Sequence, residues 1–232
     1  MEITPVKKVT ITEQIMEQLA TQIIDGKLAA GEQLPTEREL AVVFNVTRSR
    51  VREALRALSL IGMIVIKPGE GTFVSDNKVL IPDKTITWIY HKELNNVEDI
   101  YAARQLIETD IYLSCFDRAN RKIVAQMRKL INEIAADGWR KISSVEFLEN
   151  LNNLDLYVGS ECGNGIYFKL MQTLVLLRTE SSIKILNSSS ARKSAIMHRE
   201  KIVCAFEEES RDLLEQRLNE FFEDSLKSII KK

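Results

Sequence analysis

Two short amphipathic helices, separated by a tight turn, constrain the fold of this 232-residue chain more than any other feature. The first helix opens with Thr36 and Glu39, which have the spacing of a capping box. Phe44-Asn45-Val46 is typical of a tight turn, and Thr47 after it is a favourable N-cap for a second helix, which Gly62 ends. The pattern predicts a helix-turn-helix.

The second helix of this pair carries a local excess of positive charge. The whole chain holds 32 Lys and Arg against 33 Asp and Glu, so its net charge gives no reason to expect a nucleic-acid partner. On this helix, however, the only acidic side chain is Glu53, against Arg48, Arg50, Arg52 and Arg56. One helix fits the major groove of DNA, and guanidinium groups bind both phosphates and guanine, so we predict a recognition helix. A solvated charged face is the alternative.

A helix before this pair and a hairpin after it complete the N-terminal module. Thr10 and Glu13 again have capping-box spacing, ahead of a helix with apolar residues at every fourth position. After the second helix, residues 63–66 and 72–74 are β-prone runs on either side of the Gly-rich segment 67–71. They predict a hairpin that would form a wing beside the recognition helix, with a plain connecting hairpin as the alternative.

Together these segments resemble the winged-helix domain of the GntR family of bacterial transcription regulators. The similar stretches are Gly31–Ala41, Val46–Leu55 and Gly69–Val74. The resemblance implies a DNA-binding domain over residues 1–76 whose partner is double-stranded operator DNA. The positions that match DNA-contacting positions of the family are Arg38, Thr47, Arg48, Ser49, Arg50, Arg52 and Gly69.

The rest of the chain has the pattern of an all-α domain. Residues 77–84 contain a proline and little periodicity, and we interpret them as a linker to a helical domain over residues 85–232. Helical apolar spacing there predicts six or seven helices, including a long one from about Gly165 to Asn187 and a polar loop at 188–190. The apolar stripe of the first helix is Ile100, Ala103, Ile107 and Ile111. The predicted fold class is an N-terminal winged helix-turn-helix followed by an all-α helical bundle.

The helical part resembles the FCD-type ligand-sensing domain of the FadR subfamily, through segments 104–108 and 162–164. Many members of that domain family hold a divalent metal with one Asp and three His. The positions that match those ligands here are Leu151, Asp155, Arg199 and Phe221. None of the four retains the family's ligand: leucine and phenylalanine cannot coordinate a metal, and a guanidinium repels a cation. We therefore predict no metal and no cofactor, and we expect an Asp155–Arg199 ion pair in place of the metal.

The same resemblance places Arg104 near a bound effector, where a guanidinium can hold a carboxylate with two hydrogen bonds. A surface pair with Glu108 at i+4 is the alternative for Arg104. Polar residues also interrupt apolar helices at Asn152, Tyr157 and Arg178, where a satisfied structural polar group is the alternative. The candidate effector-binding residues are Arg104, Asn152, Asp155, Tyr157, Arg178 and Arg199.

These features favour a homodimeric cytoplasmic transcription regulator, a repressor, whose DNA binding is modulated by a small effector in a metal-free helical pocket. The effector would be a sugar acid, another carboxylate or an acyl thioester. A constitutive dimeric DNA-binding protein, with the helical domain only as a dimerisation scaffold, is the alternative. An enzyme is disfavoured because the sequence offers no nucleophile–base pair and no phosphate loop. No apolar run is long enough for a membrane anchor, and three scattered cysteines suggest neither disulfides nor a zinc cluster.

Overall fold

The computed structural model describes residues 9–75 and 82–230, which form two compact units that divide between Ile86 and Thr87. Of the predicted linker 77–84, residues 77–81 lie outside the described residues, and a short helix α4 (Asp83–Ile89) begins within its last two positions. No helix in the described ranges is long and apolar enough to span a membrane.

The N-terminal unit is a winged helix-turn-helix, as the sequence predicts. Its elements are α1 (Ile11–Ile24), α2 (Glu37–Val43), α3 (Arg48–Leu60), β1 (Ile64–Lys67) and β2 (Gly71–Val74). Complete capping boxes start α1 at Thr10 and α2 at Thr36, where each threonine accepts a backbone N–H and the glutamate three residues later binds back. Asn45 adopts a left-handed conformation (φ 52°) in the turn before α3, and Thr47 is the N-cap of α3.

The wing is a two-stranded antiparallel hairpin in which Ile64 lies opposite Val74 and Lys67 opposite Gly71. The segment before α2 runs along its outer edge, because Leu34 N donates to Thr72 O and Val74 N donates to Glu32 O, each at 2.8 Å. Apolar side chains from all five elements and this edge segment fill one core, so the wing and α3 are held as one body. The core is built from Ile15, Leu19, Leu34, Leu40, Val51, Leu55, Leu58, Ile64 and Val74.

The C-terminal unit is all-α, as predicted, with seven helices after residue 96 in the part that the structure describes. They are α5 (Val97–Phe116), α6 (Arg121–Ala135), α7 (Ser144–Glu161), α8 (Gly165–Leu177), α9 (Thr179–Ile185), α10 (Ser189–Glu207) and α11 (Arg211–Ile230). Helix α5 packs against α7, α8 and α11, and α10 packs against α6 and α11. Two local predictions are wrong in this unit. The single helix expected over residues 165–187 is divided at Arg178. The expected loop 188–190 is also shorter, because α10 already begins at Ser189.

The inner face of α5 also differs from the predicted apolar stripe. Ile100 and Ile111 are buried as expected, but Ala103 is exposed. The neighbouring face turns inward instead, and it brings Tyr101, Arg104, Glu108 and Tyr112 into the interior. The helix therefore buries charged side chains on one side and leaves small and apolar ones on the other.

Candidate functional site

The N-terminal turns of α3 present three arginines to solvent. The side chains of Arg48, Arg50 and Arg52 are each about half exposed or more, and each has a carboxylate within 4 Å. An exposed guanidinium near one carboxylate keeps several N–H donors free, so these groups remain available for phosphates and base edges. The N-terminus of a helix also favours anions, which adds to the attraction for DNA phosphates.

Glu37 at the start of α2 holds Arg52 in a fixed orientation. Arg52 donates from Nε and Nη2 to the two Glu37 oxygens at 2.9 and 2.7 Å, and Arg48 Nη2 lies 3.9 Å from Glu37 Oε2. Because Arg52 donates hydrogen bonds to this carboxylate, the pKa of Glu37 is lowered. One acidic side chain on the first helix of the pair therefore positions two arginines of the second.

The other predicted DNA-contacting residues lie exposed in the same unit. Arg38 is on α2, Ser49 is in the first turn of α3, and Thr47 precedes it without a side-chain capping bond, so its hydroxyl is open to a partner. Arg50 Nη1 donates to Glu53 Oε2 at 3.1 Å, and Thr12 of α1 donates to the same oxygen at 3.0 Å.

Gly69 lies at the tip of the wing with φ +79°, a conformation that favours glycine. The side chain of Gln33 fixes this loop, because its Nε2 donates to Glu70 O at 2.9 Å. The same side chain occupies the space that a side chain on Gly71 would need. The wing tip therefore has a defined conformation, and its backbone at Gly69 is free of side-chain obstruction.

The C-terminal unit contains a second polar site, a buried network of arginines and carboxylates, which we call the guanidinium cluster. Its charged members are Arg104, Glu108, Asp155, Arg178 and Arg199, all at least 96% buried. Three guanidinium groups against two carboxylates give the cluster a net charge of +1. Buried charge is costly unless it is compensated, so this excess marks the cluster as incomplete.

Arg104 and Glu108 form a bidentate pair on the inner face of α5. Arg104 Nε and Nη2 donate to the two Glu108 oxygens at 2.7 and 3.2 Å, and the guanidinium lies over the ring of Tyr101. Burial opposes the charged form of Arg104, but Glu108 outweighs it and raises the Arg104 pKa. The pairing that the sequence offered as the alternative for Arg104 is present, although it is buried and not on the helix surface.

Asp155 is the centre of the cluster. Its Oδ1 accepts from the Tyr112 hydroxyl at 2.7 Å, and its Oδ2 accepts from Arg199 Nη2 at 2.8 Å and from Arg178 Nη2. Burial raises the pKa of this carboxyl, but Arg199 and Arg178 more than reverse the effect and hold it below its usual range. The ion pair expected between Asp155 and Arg199 is therefore present in the structure.

Two guanidinium donors of the cluster are buried without a hydrogen-bond partner, Arg178 Nε and Arg199 Nε. Beside them, His198 Nδ1 is also unpaired, while its Nε2 lies 3.2 Å from Asp224 Oδ2. Burial lowers the pKa of His198 and so favours its neutral form. Buried donors in a native protein are normally satisfied, so unpaired N–H groups here indicate a site for an acceptor.

A cavity of about 80 Å³ adjoins Arg178, His198 and Arg199, enough for several water molecules or a small ligand. Its wall includes Arg104, Arg178, His198 and Arg199 together with apolar side chains. Of the four positions that match the metal ligands of FCD-type domains, Leu151, Arg199 and Phe221 line this cavity, and Asp155 is bound to Arg199. The donor set does not fit a metal ion, because two of these side chains are hydrocarbon and one is cationic. Within the described residues, no three His, Cys, Asp or Glu side chains form a group suited to a metal.

The structure brings five of the six candidate effector residues together, since Asn152 Oδ1 accepts from Arg178 Nη2 at 2.6 Å. Tyr157 is not among them. It lies two residues beyond Asp155, about 200° around α7, and packs against the hydrophobic core away from the cavity.

Sequence reasoning missed Tyr112 and the position of His198 at this site. Tyr112 had a signal, because Arg104, Glu108 and Tyr112 follow one another at i+4 spacing on one face of α5. His198 lies one residue before Arg199, about 100° around the helix, yet it still reaches the cavity wall.

Comparison with known proteins places the N-terminal unit in a family. Residues 11–74 match the family described as bacterial regulatory proteins, gntR family. An uncharacterized HTH-type transcriptional regulator, YcbG of Bacillus subtilis, is 28% identical over 135 residues, which cover 58% of this chain and 57% of YcbG. The HTH-type transcriptional repressor NagR of Bacillus subtilis is 44% identical over 79 residues, 34% of this chain and 32% of NagR. The chain thus matches just over half the length of one of these relatives and about a third of the other.

Among solved structures, Streptococcus agalactiae GntR has a TM-score of 0.69 at 21% identity, over 94% of this chain and 99% of that chain. E. coli McbR/YncC has a TM-score of 0.52 at 14% identity, over 97% of this chain and 99% of that one. These similarities extend the shared fold through the helical unit. Residues 11–74 thus have the fold of a winged helix-turn-helix domain, with a capped helix pair, an arginine-bearing α3 and a hairpin wing, and they match the gntR family of bacterial regulatory proteins.

Proposed function

We propose that this chain is a DNA-binding transcription regulator, a repressor, whose operator affinity is set by a small anionic effector. The DNA-binding part of this proposal is supported by the three exposed arginines of α3, Arg48, Arg50 and Arg52. Helix α3 packs against α2 and is followed by the wing. The repressor assignment follows the names of relatives such as NagR. No enzymatic activity is part of the proposal.

The DNA interface is tested with an operator obtained by selection from a pool of random duplexes. Binding of the full chain is then measured by fluorescence anisotropy at several salt concentrations, because phosphate contacts make the affinity fall steeply with salt. Arg52→Ala should weaken specific binding by about 5- to 150-fold, the equivalent of roughly 1–3 kcal/mol for one base-reading arginine.

The matched control is Arg211→Ala, since Arg211 is also half exposed and paired with a single carboxylate, Asp117, but lies in the helical unit. It should leave the affinity unchanged. Equal losses in both variants, or no selectable sequence, would contradict a DNA-reading role for α3.

The effector part of the proposal rests on the guanidinium cluster. A carboxylate entering the cavity would accept hydrogen bonds from the guanidinium groups that line it, those of Arg104, Arg178 and Arg199, and would neutralise the net charge of +1. Arginine presents its donors in a planar fork that suits carboxylates, so a metal is not needed to hold the anion. Small carboxylates and sugar acids match the cavity, whereas an acyl thioester would have to extend beyond it.

Effector binding is tested by the melting temperature of the full chain against small carboxylates and sugar acids, each with EDTA and with added zinc. An effector at a hundred times its Kd should stabilise the folded state by about 2.7 kcal/mol. The shift should be the same with EDTA and should disappear in Arg178→Met. A shift that requires zinc would refute direct capture by arginine, and no shift with any anion would favour the constitutive scaffold.

In this proposal the protein acts as a homodimer. Two winged helices related by a two-fold axis bind the two half-sites of a pseudopalindromic operator, and this doubles the number of base contacts. The effector must then bind the DNA-competent and the incompetent arrangement with different affinity, because only such a difference shifts the equilibrium.

A further inference from the structure

Serine hydroxyls form a second polar group in the wall of the cavity beside the guanidinium cluster. Ser182 of α9, Ser194 of α10 and Ser225 of α11 all line this cavity and are half-buried. None of the three hydroxyls has a hydrogen-bond partner among the residues that the structure describes. A helical serine can satisfy its own hydroxyl on the carbonyl four residues back, as Ser228 does on Asp224 O at 2.8 Å. The three unpaired hydroxyls are therefore available to a ligand in the cavity.

The serines are displaced from the arginines along the helices that carry them. Ser194 precedes Arg199 by five residues on α10, which corresponds to about 7.5 Å along the helix axis. Helix α11 runs antiparallel to α10 and places the ring of Phe221 against the Arg199 guanidinium. Ser225 follows Phe221 by four residues, about 6 Å, so it is displaced in the same direction as Ser194.

The third serine shows the same displacement, which sets the length of a ligand that reaches both groups. Ser182 follows Arg178 by four residues on α9, again about 6 Å. Carbon–carbon bonds are about 1.5 Å long and contribute less than this in projection, so about five of them span the distance. The cavity of about 80 Å³ has room for about five to eight water molecules, which suits a chain of five or six carbons with its oxygens.

The charges of the cavity limit this ligand to one anionic group. The guanidinium cluster has a net charge of +1, which one carboxylate neutralises, whereas a phosphate monoester of about −1.5 to −2 would leave the site negative. Asp224 also lines the cavity, directly before Ser225 in the chain, and its side chain is 54% exposed. A second carboxylate beside the serines would face Asp224 and be repelled by it.

We propose that Ser182, Ser194 and Ser225 form a second binding site in the cavity, the serine subsite, which binds the hydroxyl groups of a polyhydroxylated monocarboxylate of five or six carbons. The inference rests on the proposed function, because it takes the guanidinium cluster as the site of the carboxylate. The two sites together fix the orientation of the ligand. An aliphatic acid would leave the serine hydroxyls unpaired, and a neutral sugar would leave the excess positive charge uncompensated.

The test is isothermal titration calorimetry of the full chain with four kinds of probe. They are a panel of five- and six-carbon aldonic acids, the unsubstituted acid hexanoate, the dicarboxylate glucarate, and glucose, which has no carboxylate. One aldonate or more should bind at least about tenfold more tightly than hexanoate and glucarate, because a site with hydroxyl partners discriminates against a ligand that lacks them. Glucose should not bind.

Two variants test the serines directly. Ser194→Ala and Ser225→Ala should each weaken aldonate binding by about 3- to 10-fold, the effect of losing one hydrogen bond between neutral groups, and should leave hexanoate binding unchanged. Alanine is favourable within a helix, so both variants should fold. The matched control is Ser114→Ala, because Ser114 is a half-buried serine of α5 that lies outside the cavity wall and has no hydroxyl partner among the described residues. It should bind aldonates as the wild type does.

The outcomes separate this inference from the proposed function. Hexanoate or glucarate binding as tightly as every aldonate would overturn the serine subsite and leave an anionic effector in place. Aldonate binding that is equal in the wild type and in both serine variants would do the same. Aldonate binding that depends on the serines but leaves operator affinity unchanged would support the subsite and refute effector control of DNA binding. If none of the acids binds, both are overturned.

Discussion

Replacing Asp155 by asparagine should destabilise the helical unit more than almost any other isosteric change in this chain. Asp155 accepts hydrogen bonds from Tyr112, Arg178 and Arg199, and its side chain is 3% exposed. Asparagine keeps the shape but removes the charge, so the guanidinium cluster would hold three arginines against Glu108 alone and its net charge would rise from +1 to +2. Leaving buried charges uncompensated in this way costs roughly 3–5 kcal/mol.

The measurements are urea unfolding, which gives the free energy, and thermal melting, both followed by tryptophan fluorescence. Both tryptophans, Trp88 and Trp139, belong to the C-terminal unit, so the signal reports on the unit that carries Asp155. At about 2–4 °C per kcal/mol for a domain near 150 residues, the melting temperature of Asp155→Asn should fall by about 6–20 °C.

Glu207→Gln is the control, because Glu207 also pairs with an arginine, Arg128, but is 38% exposed. An exposed ion pair contributes about 0–1 kcal/mol, so this variant should unfold close to the wild type. Combining Asp155→Asn with Arg199→Met should recover part of the loss, since it removes one of the uncompensated charges. If Asp155→Asn unfolds within about 1 kcal/mol of the wild type, the cluster is not electrostatically organised around this carboxylate and the reasoning fails.

Two further results are expected. The pKa of Asp155 is lower in the folded than in the unfolded chain, where it is about 3.9, so the stability that it contributes is complete above that value and is lost as the pH falls below it. The unfolding free energy of the wild type should therefore fall more steeply from pH 5 to pH 3 than that of Asp155→Asn, and parallel curves would contradict this. Glu37→Gln should release Arg52 and reduce discrimination between operator and scrambled DNA about tenfold, whereas Glu17→Gln, which changes an exposed glutamate of α1, should not. Equal discrimination in both variants would remove the positioning role of Glu37.

The winged helix could be predicted from the sequence because its signals are local. The capping boxes at Thr10 and Thr36 and the turn before Thr47 each lie within a few residues, and all three are present in the structure. The contacts of Glu37 are different. They join residues 15 positions apart on two helices, and no periodicity indicates which arginine a carboxylate will bind.

The all-α class of the helical unit could be predicted from the sequence, but the buried face of α5 and the division at Arg178 could not. Periodicity identifies helices by their apolar face, and α5 has apolar residues on both sides, so the stripe from Ile100 to Ile111 did not show that Arg104 and Glu108 turn inward. The division at Arg178 was missed for a related reason. The chain around Arg178 remains helical in composition, and at the break Arg178 contacts Asp155, which is 23 residues away in the sequence.

The composition of the guanidinium cluster bears on whether the helical unit is a sensor or only a scaffold. A scaffold gains little from buried ion pairs, because well-packed apolar residues of the same volume usually give equal or greater stability. The surplus positive charge also lies at one place, because Arg104, Arg178 and Arg199 all line the same cavity. Stability alone gives no reason to retain an uncompensated guanidinium beside an open space. A ligand that supplies the missing negative charge does give one, and this favours the sensor.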